Sequence, residues 1–119
     1  MVASRLLLTC LGMRTMARFD VYRNPDTKDA EHVLYFLDVQ NDHLQGFKTR
    51  VLVPLWHKDF LPHPMNELNP AFIVLGSTVV MDTPALGAVA VNALKPAVVN
   101  LGTQQLKIQN ALDILFGGY

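Results

Sequence analysis

Short strand-like segments, separated by turn-forming residues, are the feature that most constrains how this chain can fold. In each segment, apolar or β-branched residues alternate with polar residues or form a brief apolar run, as in half-buried and buried strands. The predicted strands cover residues 19–22, 32–40, 49–55, 71–75 and 78–81. We expect a tight turn at Gly76 and Ser77 to join the last two. Several short strands at close spacing predict a small antiparallel, barrel-like sheet.

Three places interrupt this strand pattern. Pro54, near the end of the third strand, predicts that the strand stops or lies at a sheet edge there, because proline cannot donate to a ladder. Residues 57–70 hold three of the seven prolines and are expected to be irregular. Residues 84–91 fit a short strand or a loop, and their alanines leave a helix possible.

The end of the chain has helical spacing instead. The apolar residues that share one helical face are Ile108, Ala111, Leu112 and Leu115. We expect this face to pack on the sheet, with Gly102 or Thr103 as the N-cap and Gly117 and Gly118 ending the helix. Only Tyr119 follows the glycines, so we expect a short projecting tip suited to recognition by a partner rather than to catalysis.

Composition limits the class of protein. The chain has 119 residues, enough for one domain, and ten Lys and Arg balance ten Asp and Glu. A neutral chain disfavours direct binding to nucleic acid, and no apolar run is long enough for a membrane span. Cys10 is the only cysteine, which fits a reducing, cytoplasmic location. Half of the chain is hydrophobic, which suggests that an oligomer buries some apolar surface.

The first fifteen residues resemble a signal peptide only superficially. Arg5 precedes a short apolar run, but no small-residue cleavage site follows before Arg14. Strand-like sequence begins at Phe19, just after Met16. We therefore expect residues 1–15 to be a disordered or extraneous leader, and translation could start at Met1 or Met16.

Residues that often carry chemistry have plainer explanations here. The phosphate-binding glycine loops, HExxH and CxxC do not occur. The histidines are His32, His43, His57 and His63. Their spacing puts no two on one helical face, so we interpret them as loop residues and predict no metal site. Asp38 fits the polar face of a strand and Asp42 a turn, rather than a carboxylate pair. Trp56 fits packing, and Cys10 lies in the leader, where a nucleophile is not expected.

The order and spacing of several segments resemble the CcdB family, the toxins of type II toxin–antitoxin modules. The segments are residues 19–22 (Phe-Asp-Val-Tyr), 37–42 (Leu-Asp-Val-Gln-Asn-Asp), 51–55 (Val-Leu-Val-Pro-Leu), 68–70 (Leu-Asn-Pro) and 108–118, which begins Ile-Gln-Asn-Ala-Leu. The sequence Met-Ala-Arg-Phe from Met16 fits the family's start. The resemblance thus predicts a single CcdB-like toxin domain over residues 16–119.

The resemblance also implies a fold and a function. The fold would be mainly β, an SH3-like barrel of the CcdB/MazF type with a small extra sheet and one C-terminal α-helix. The protein would be a bacterial homodimer that binds the A subunit of DNA gyrase and traps the DNA cleavage complex. A CcdA-type antitoxin would neutralise it. The family's toxins are not enzymes and use no cofactor.

The family's gyrase-contacting surface maps to seven positions of this chain. They are His43, Leu44, Asp113, Phe116, Gly117, Gly118 and Tyr119. Phe116 and Gly118 match the family pattern. The family has isoleucine in place of His43, Leu44 and Tyr119, and asparagine in place of Asp113. It has tryptophan in place of Gly117, and losing a rigid aromatic anchor at an interface centre can remove several kcal/mol of binding.

Two hypotheses follow from this departure, and a third comes from the shared fold. Phe116 or Tyr119 could supply the aromatic contact, so that the chain remains a gyrase poison. Alternatively, the chain is a degenerate or retargeted relative that keeps the fold, the dimer and antitoxin binding. The third is an mRNA-cleaving endoribonuclease of the MazF type, which the neutral charge and the CcdB-like terminus disfavour.

Overall fold

The computed structural model describes residues 16–42, 44 and 46–117. Its strands and helix are β1 (Asp20–Arg23), β2 (Val33–Asp38), β3 (Thr49–His57), β4 (Ala71–Val74), β5 (Ser77–Met81), β6 (Gly87–Ala90), β7 (Val99–Asn100) and α1 (Gln105–Phe116). Short 3₁₀ turns cover Thr83–Ala85, Val91–Ala93 and Gly102–Gln104. Within the described part of the chain, no helix is long and apolar enough to cross a membrane. The predicted leader lies outside it.

The strands form one antiparallel sheet that is nearly closed into a barrel. Its order is β4-β5-β3-β2-β1-β7, and β6 also pairs with β3. β3 is long enough to pair with β6 through Thr49–Leu52 and with β5 through Leu55–His57. The predicted mainly-β barrel with one C-terminal helix is confirmed. The small extra sheet that the resemblance implied is continuous with the barrel, because β5 joins the β4–β5 hairpin to β3.

The predicted strand ends agree with the observed ones to within two residues, but the expectation for Pro54 was wrong. β3 continues past Pro54 to His57, and on one side it pairs with β2 from Leu52 to Trp56. The Pro54 carbonyl accepts the Asp82 N–H at 2.9 Å, so this residue faces the β5 and β6 side. It lies where the partner of β3 changes from β6 to β5, and no ladder bond needs its missing N–H there.

Two further expectations are refined by the structure. The turn between β4 and β5 consists of Leu75 and Gly76, with φ of 48° and 84°, rather than Gly76 and Ser77. Positive φ at both central residues is typical of the type I′ hairpin turn, which matches the twist of the flanking strands. The ambiguous segment 84–91 contains the short strand β6, whereas residues 58–70 contain no helix or strand, as expected.

Alternating side chains divide the core into two clusters on opposite faces of the sheet. The main cluster lies under α1 and includes Val21, Leu37, Val53 and Leu55, all fully buried. A smaller cluster on the other face contains Met16, Tyr22, Leu52 and Leu94.

The predicted apolar face of α1 packs on the main cluster. Ile108 and Ala111 are fully buried, and Leu112 contacts the cluster from its edge. The predicted N-cap was wrong, because a 3₁₀ turn precedes α1 and Gln104 occupies the N-cap without a side-chain hydrogen bond. Asn100, two residues before the 3₁₀ turn begins, holds its first residue, since the Asn100 Oδ1 accepts the Gly102 N–H at 2.8 Å.

Candidate functional site

The end of α1 is fixed by its own backbone and by the core beneath it. Gly117 has φ 73° and ψ 33°, the left-handed conformation that closes a helix. Its N–H donates to the carbonyl oxygens of Asp113 and Ile114, which confirms the predicted helix end at this glycine. The last turn is therefore regular up to Gly117, more than one turn beyond the buried Ala111.

An aromatic side chain projects from this last turn. Phe116 is 70% exposed, and Asp113, three residues earlier, is also exposed. Residues three apart on a helix lie on the same side, so a carboxylate borders the ring. Covering such an apolar side chain with a partner protein is favourable. Complete burial of Phe stabilises a complex by about 1.5–3 kcal/mol.

The β2–β3 loop carries the second part of the predicted surface. Leu44 is exposed, and its carbonyl oxygen accepts hydrogen bonds from Gln40 Nε2 and Arg50 Nη1, each at 3.2 Å. Its N–H donates to the Asn41 carbonyl at 3.0 Å. These bonds fix the backbone at Leu44 and leave the side chain facing solvent.

A buried ion pair supports this loop. Arg50 Nε and Nη2 donate to Asp38 Oδ2 and Oδ1 at 2.8 and 2.9 Å, and only 1% of Arg50 is exposed. Arg50 Nη2 also reaches the Gln40 carbonyl at 3.3 Å, and the Gln40 N–H donates to Asp38 Oδ1 at 2.9 Å. One guanidinium thus holds the end of β2 and the loop backbone at Leu44 together.

The interpretation of Asp38 as a residue on a polar strand face was wrong, because its side chain is fully buried. Burial raises the pKa of the Asp38 carboxyl above its usual value, whereas the hydrogen bonds from Arg50 and the Gln40 amide act in the opposite direction. Asp42 is separate from Asp38, and its carboxylate accepts the backbone N–H of Arg18.

Phe47 belongs to the same loop, and the sequence analysis did not single it out. Its side chain is 59% exposed and, with Gln40, Leu44 and Thr49, it lines a shallow hollow of about 190 Å³. The signal in the sequence was an aromatic residue directly after Gly46, inside a loop rich in polar residues. A second exposed aromatic ring therefore lies beside Leu44.

The structure brings some of the predicted residues together and leaves others undescribed. Asp113, Phe116 and Gly117 share the last turn of α1, whereas Leu44 lies in the β2–β3 loop. No hydrogen bond, ion pair or ring contact between described residues joins Leu44 to that turn. The predicted contacts His43, Gly118 and Tyr119 lie outside the described residues.

The histidines that could have suggested a metal have other neighbours. His32 and His57 both pack against the ring of Phe60, with centroids 4.5 and 5.4 Å away. His57 Nδ1 accepts the Asp59 N–H at 3.1 Å, and the His57 N–H donates to the His32 carbonyl. His32 directly precedes β2 and His57 is the last residue of β3, so neither lies in a free loop. The described residues contain no group of three or more potential ligands arranged for a metal.

Trp56, which the sequence analysis assigned to packing, is half-buried and makes a polar contact. Its indole Nε1 donates to Asp82 Oδ2 at 3.0 Å, which ties β3 to the residue after β5.

The endoribonuclease hypothesis requires a basic residue beside an acid at an accessible site. Asp38 and Arg50 form such a pair, but it is buried and cannot meet a substrate in this conformation.

Comparison with known families decides the family of this chain. The family model described as CcdB protein matches residues 18–118, a range that includes β1 to β7 and α1. The chain belongs to the CcdB family. No curated protein is similar enough to it to count as a match. Membership of the CcdB family supports a toxin of the CcdB type as its general function.

Proposed function

We propose that this CcdB-family protein is a toxin that binds the A subunit of DNA gyrase and traps the enzyme on cleaved DNA. The observation that carries the proposal is the exposed Phe116 on a rigid helix end, in a chain whose family match extends through that end. The protein acts by binding, as a homodimer that presents two copies of this surface, and uses no cofactor. A CcdA-type antitoxin reverses its action.

The contact surface has two parts in this proposal. Phe116 provides the aromatic anchor, with Asp113 beside it and Gly117, Gly118 and Tyr119 after it. Leu44, His43 and Phe47 form the loop part, which the Asp38–Arg50 pair holds in place. Aromatic anchors at the centre of an interface account for a large share of its binding free energy, about 2 kcal/mol or more each. In this proposal Phe116 supplies the aromatic contact for which the family has a tryptophan in place of Gly117, and Phe47 adds a second aromatic contact on the loop.

A specific observation favours a second candidate, a degenerate or retargeted CcdB relative. Gly117 lies where the family's aromatic anchor is implied, and its φ of 73° is one that a tryptophan adopts only with strain. A Cβ built at Gly117 has no atom within 4 Å, so backbone conformation rather than crowding at the Cβ opposes a side chain here. A chain that lost this anchor would keep the fold, the dimer and antitoxin binding without poisoning gyrase.

A gyrase cleavage-complex assay tests the proposal. The full chain is incubated with gyrase, supercoiled DNA and ATP, and linear DNA is scored after denaturation of the enzyme. We expect linear DNA with the unaltered chain and little with Phe116→Ala. Leu106→Ala is the matched control, because Leu106 is 82% exposed on the same helix but lies outside the proposed surface.

The same assay separates the two candidates. If the unaltered chain yields no linear DNA but Gly117→Trp does, the poisoning surface is degenerate and the first candidate is wrong. If neither yields linear DNA at high excess from a folded protein, gyrase is not the target. Linear DNA that disappears when a CcdA-type antitoxin is added supports neutralisation by such a partner.

A further inference from the structure

β4 is an edge strand whose outer side can be assigned residue by residue. The Met81 N–H donates to the Pro70 carbonyl at 2.9 Å, so Pro70 faces β5. Because the hydrogen-bonding direction alternates along a strand, Ala71 and Ile73 face away from β5. The Ala71 carbonyl accepts a hydrogen bond from Lys107 Nζ at 2.7 Å, in agreement with this assignment.

The amide and carbonyl of Ile73 remain open on this edge. β5 is the one strand paired with β4 in the described sheet, and no described residue outside the hairpin bonds to the Ile73 backbone. The Ile73 side chain is 72% exposed and Leu75, two residues on, is also exposed. Natural edge strands are usually protected by charge, proline or a covering element, and an exposed apolar edge is suited to strand pairing.

A groove runs beside this edge. It has a volume of about 530 Å³ and lies between β4 on one side and the 3₁₀ turn and first turn of α1 on the other. Its lining residues are Ala71, Phe72, Ile73, Thr78, Leu101, Thr103, Gln104 and Lys107. Lys107 is the only charged residue in this lining, so the groove carries positive charge.

The ammonium of Lys107 has capacity for a further partner. It lies 4.8 Å from the centroid of the Phe72 ring and uses one of its three donors on the Ala71 carbonyl. The first turn of α1 contains no acidic residue that would neutralise it. A carboxylate placed in the groove therefore meets a cation whose position is already fixed by β4.

We propose that β4 and the start of α1 form a docking groove for an extended peptide segment of a partner protein, which pairs with Ile73 as an added strand and places an acidic side chain against Lys107. Backbone pairing with Ile73 supplies sequence-independent affinity, and the groove and Lys107 supply selectivity for apolar and acidic side chains. This surface is separate from the residues proposed to contact gyrase, and the proposal does not depend on gyrase binding.

Fluorescence anisotropy with a defined peptide tests the proposal. The probe is a labelled octapeptide in which valine alternates with glutamate, and the comparison peptide has lysine in place of glutamate. We expect the full chain to bind the glutamate peptide at least about tenfold more tightly than the lysine peptide. Lys107→Glu should reverse this preference. Equal binding of both peptides to the unaltered chain, or no binding of either, overturns the proposal.

Backbone variants test the added strand itself. Ile73→Pro removes the outward N–H at an edge position where proline is tolerated, and should weaken binding about tenfold, whereas Ile73→Val should leave it within about twofold. If Ile73→Pro fails to fold, a fully N-methylated version of the glutamate peptide tests the same hydrogen bonds on the unaltered protein and should not bind. Binding that survives N-methylation contradicts strand pairing. Self-association of the chain that Ile73→Pro abolishes, without peptide binding, would make the occupant a second copy and overturn the proposal.

Discussion

The β2–β3 loop and the last turn of α1 both present apolar side chains to solvent, but different interactions hold them in place. The loop depends on a buried Asp38–Arg50 pair, whose guanidinium also binds the carbonyls of Gln40 and Leu44. The helix end depends on backbone bonds to Gly117 and on apolar burial of Ile108 and Ala111 beneath it. One region is therefore sensitive to loss of a charge, and the other to backbone conformation.

The largest expected effect comes from breaking the support of the loop. Asp38→Asn leaves the Arg50 guanidinium buried without a counter-charge, so we expect the free energy of unfolding to fall by about 3–5 kcal/mol. Urea denaturation measures this change. Asp113→Asn, at an exposed position on α1, is the matched control and should change stability by less than about 0.5 kcal/mol.

A double variant sharpens the same comparison. Asp38→Leu combined with Arg50→Met removes both charges together and should be much less destabilising than Asp38→Asn, because no unpaired charge remains. A loss below about 1 kcal/mol for Asp38→Asn alone would contradict the support role assigned to the pair.

Phe47→Ala tests whether the loop contributes directly to partner binding. We expect roughly a tenfold loss of affinity for the gyrase A subunit, with unchanged unfolding free energy, because the ring is mostly in water in the free protein. Calorimetric titration of the dimer with the gyrase A subunit measures the affinity. Phe60→Ala is the control, since Phe60 is also exposed but packs against His32 and His57 elsewhere. Equal losses of affinity for both variants would show that Phe47 does not belong to the gyrase-contacting surface.

A smaller effect is expected at the end of α1. Gly117→Ala places a Cβ on a residue with φ 73°, so we expect a loss of about 1 kcal/mol in unfolding free energy. Gly87→Ala is the matched control, because Gly87 lies in β6 without a positive φ and a Cβ there meets no atom within 4 Å. Thermal unfolding should give Gly117→Ala a lower Tm than Gly87→Ala. The opposite order would contradict the left-handed helix end.

Local patterns made the helix and most strands predictable. The spacing of Ile108, Ala111 and Leu112 indicated the buried face of α1, and Gly117 marked its end. The tight turn before β5 was placed only one residue away from its position at Leu75 and Gly76. These features depend on residues close together in sequence, where propensity and periodicity are informative.

Features that depend on distant residues were not predictable. Asp38 appeared to be a solvated strand residue because nothing near it in sequence shows that Arg50, twelve positions later, neutralises it across the sheet. Pro54 was expected to end the strand. A proline is tolerated inside β3 because the strand changes partner from β6 to β5 at this point, which the neighbouring sequence does not reveal. The exposure of Phe47 likewise depends on how the loop is tied to Arg50, so this part of the candidate surface emerged only in three dimensions.

The central claim is that Phe116 anchors the binding of gyrase. The most direct test is calorimetric titration of the gyrase A subunit with the unaltered chain, Phe116→Ala and Leu106→Ala. We predict that Phe116→Ala weakens binding by about 2 kcal/mol, roughly thirtyfold, while Leu106→Ala binds like the unaltered chain. Unchanged affinity for Phe116→Ala, or the same loss for Leu106→Ala, would contradict the claim.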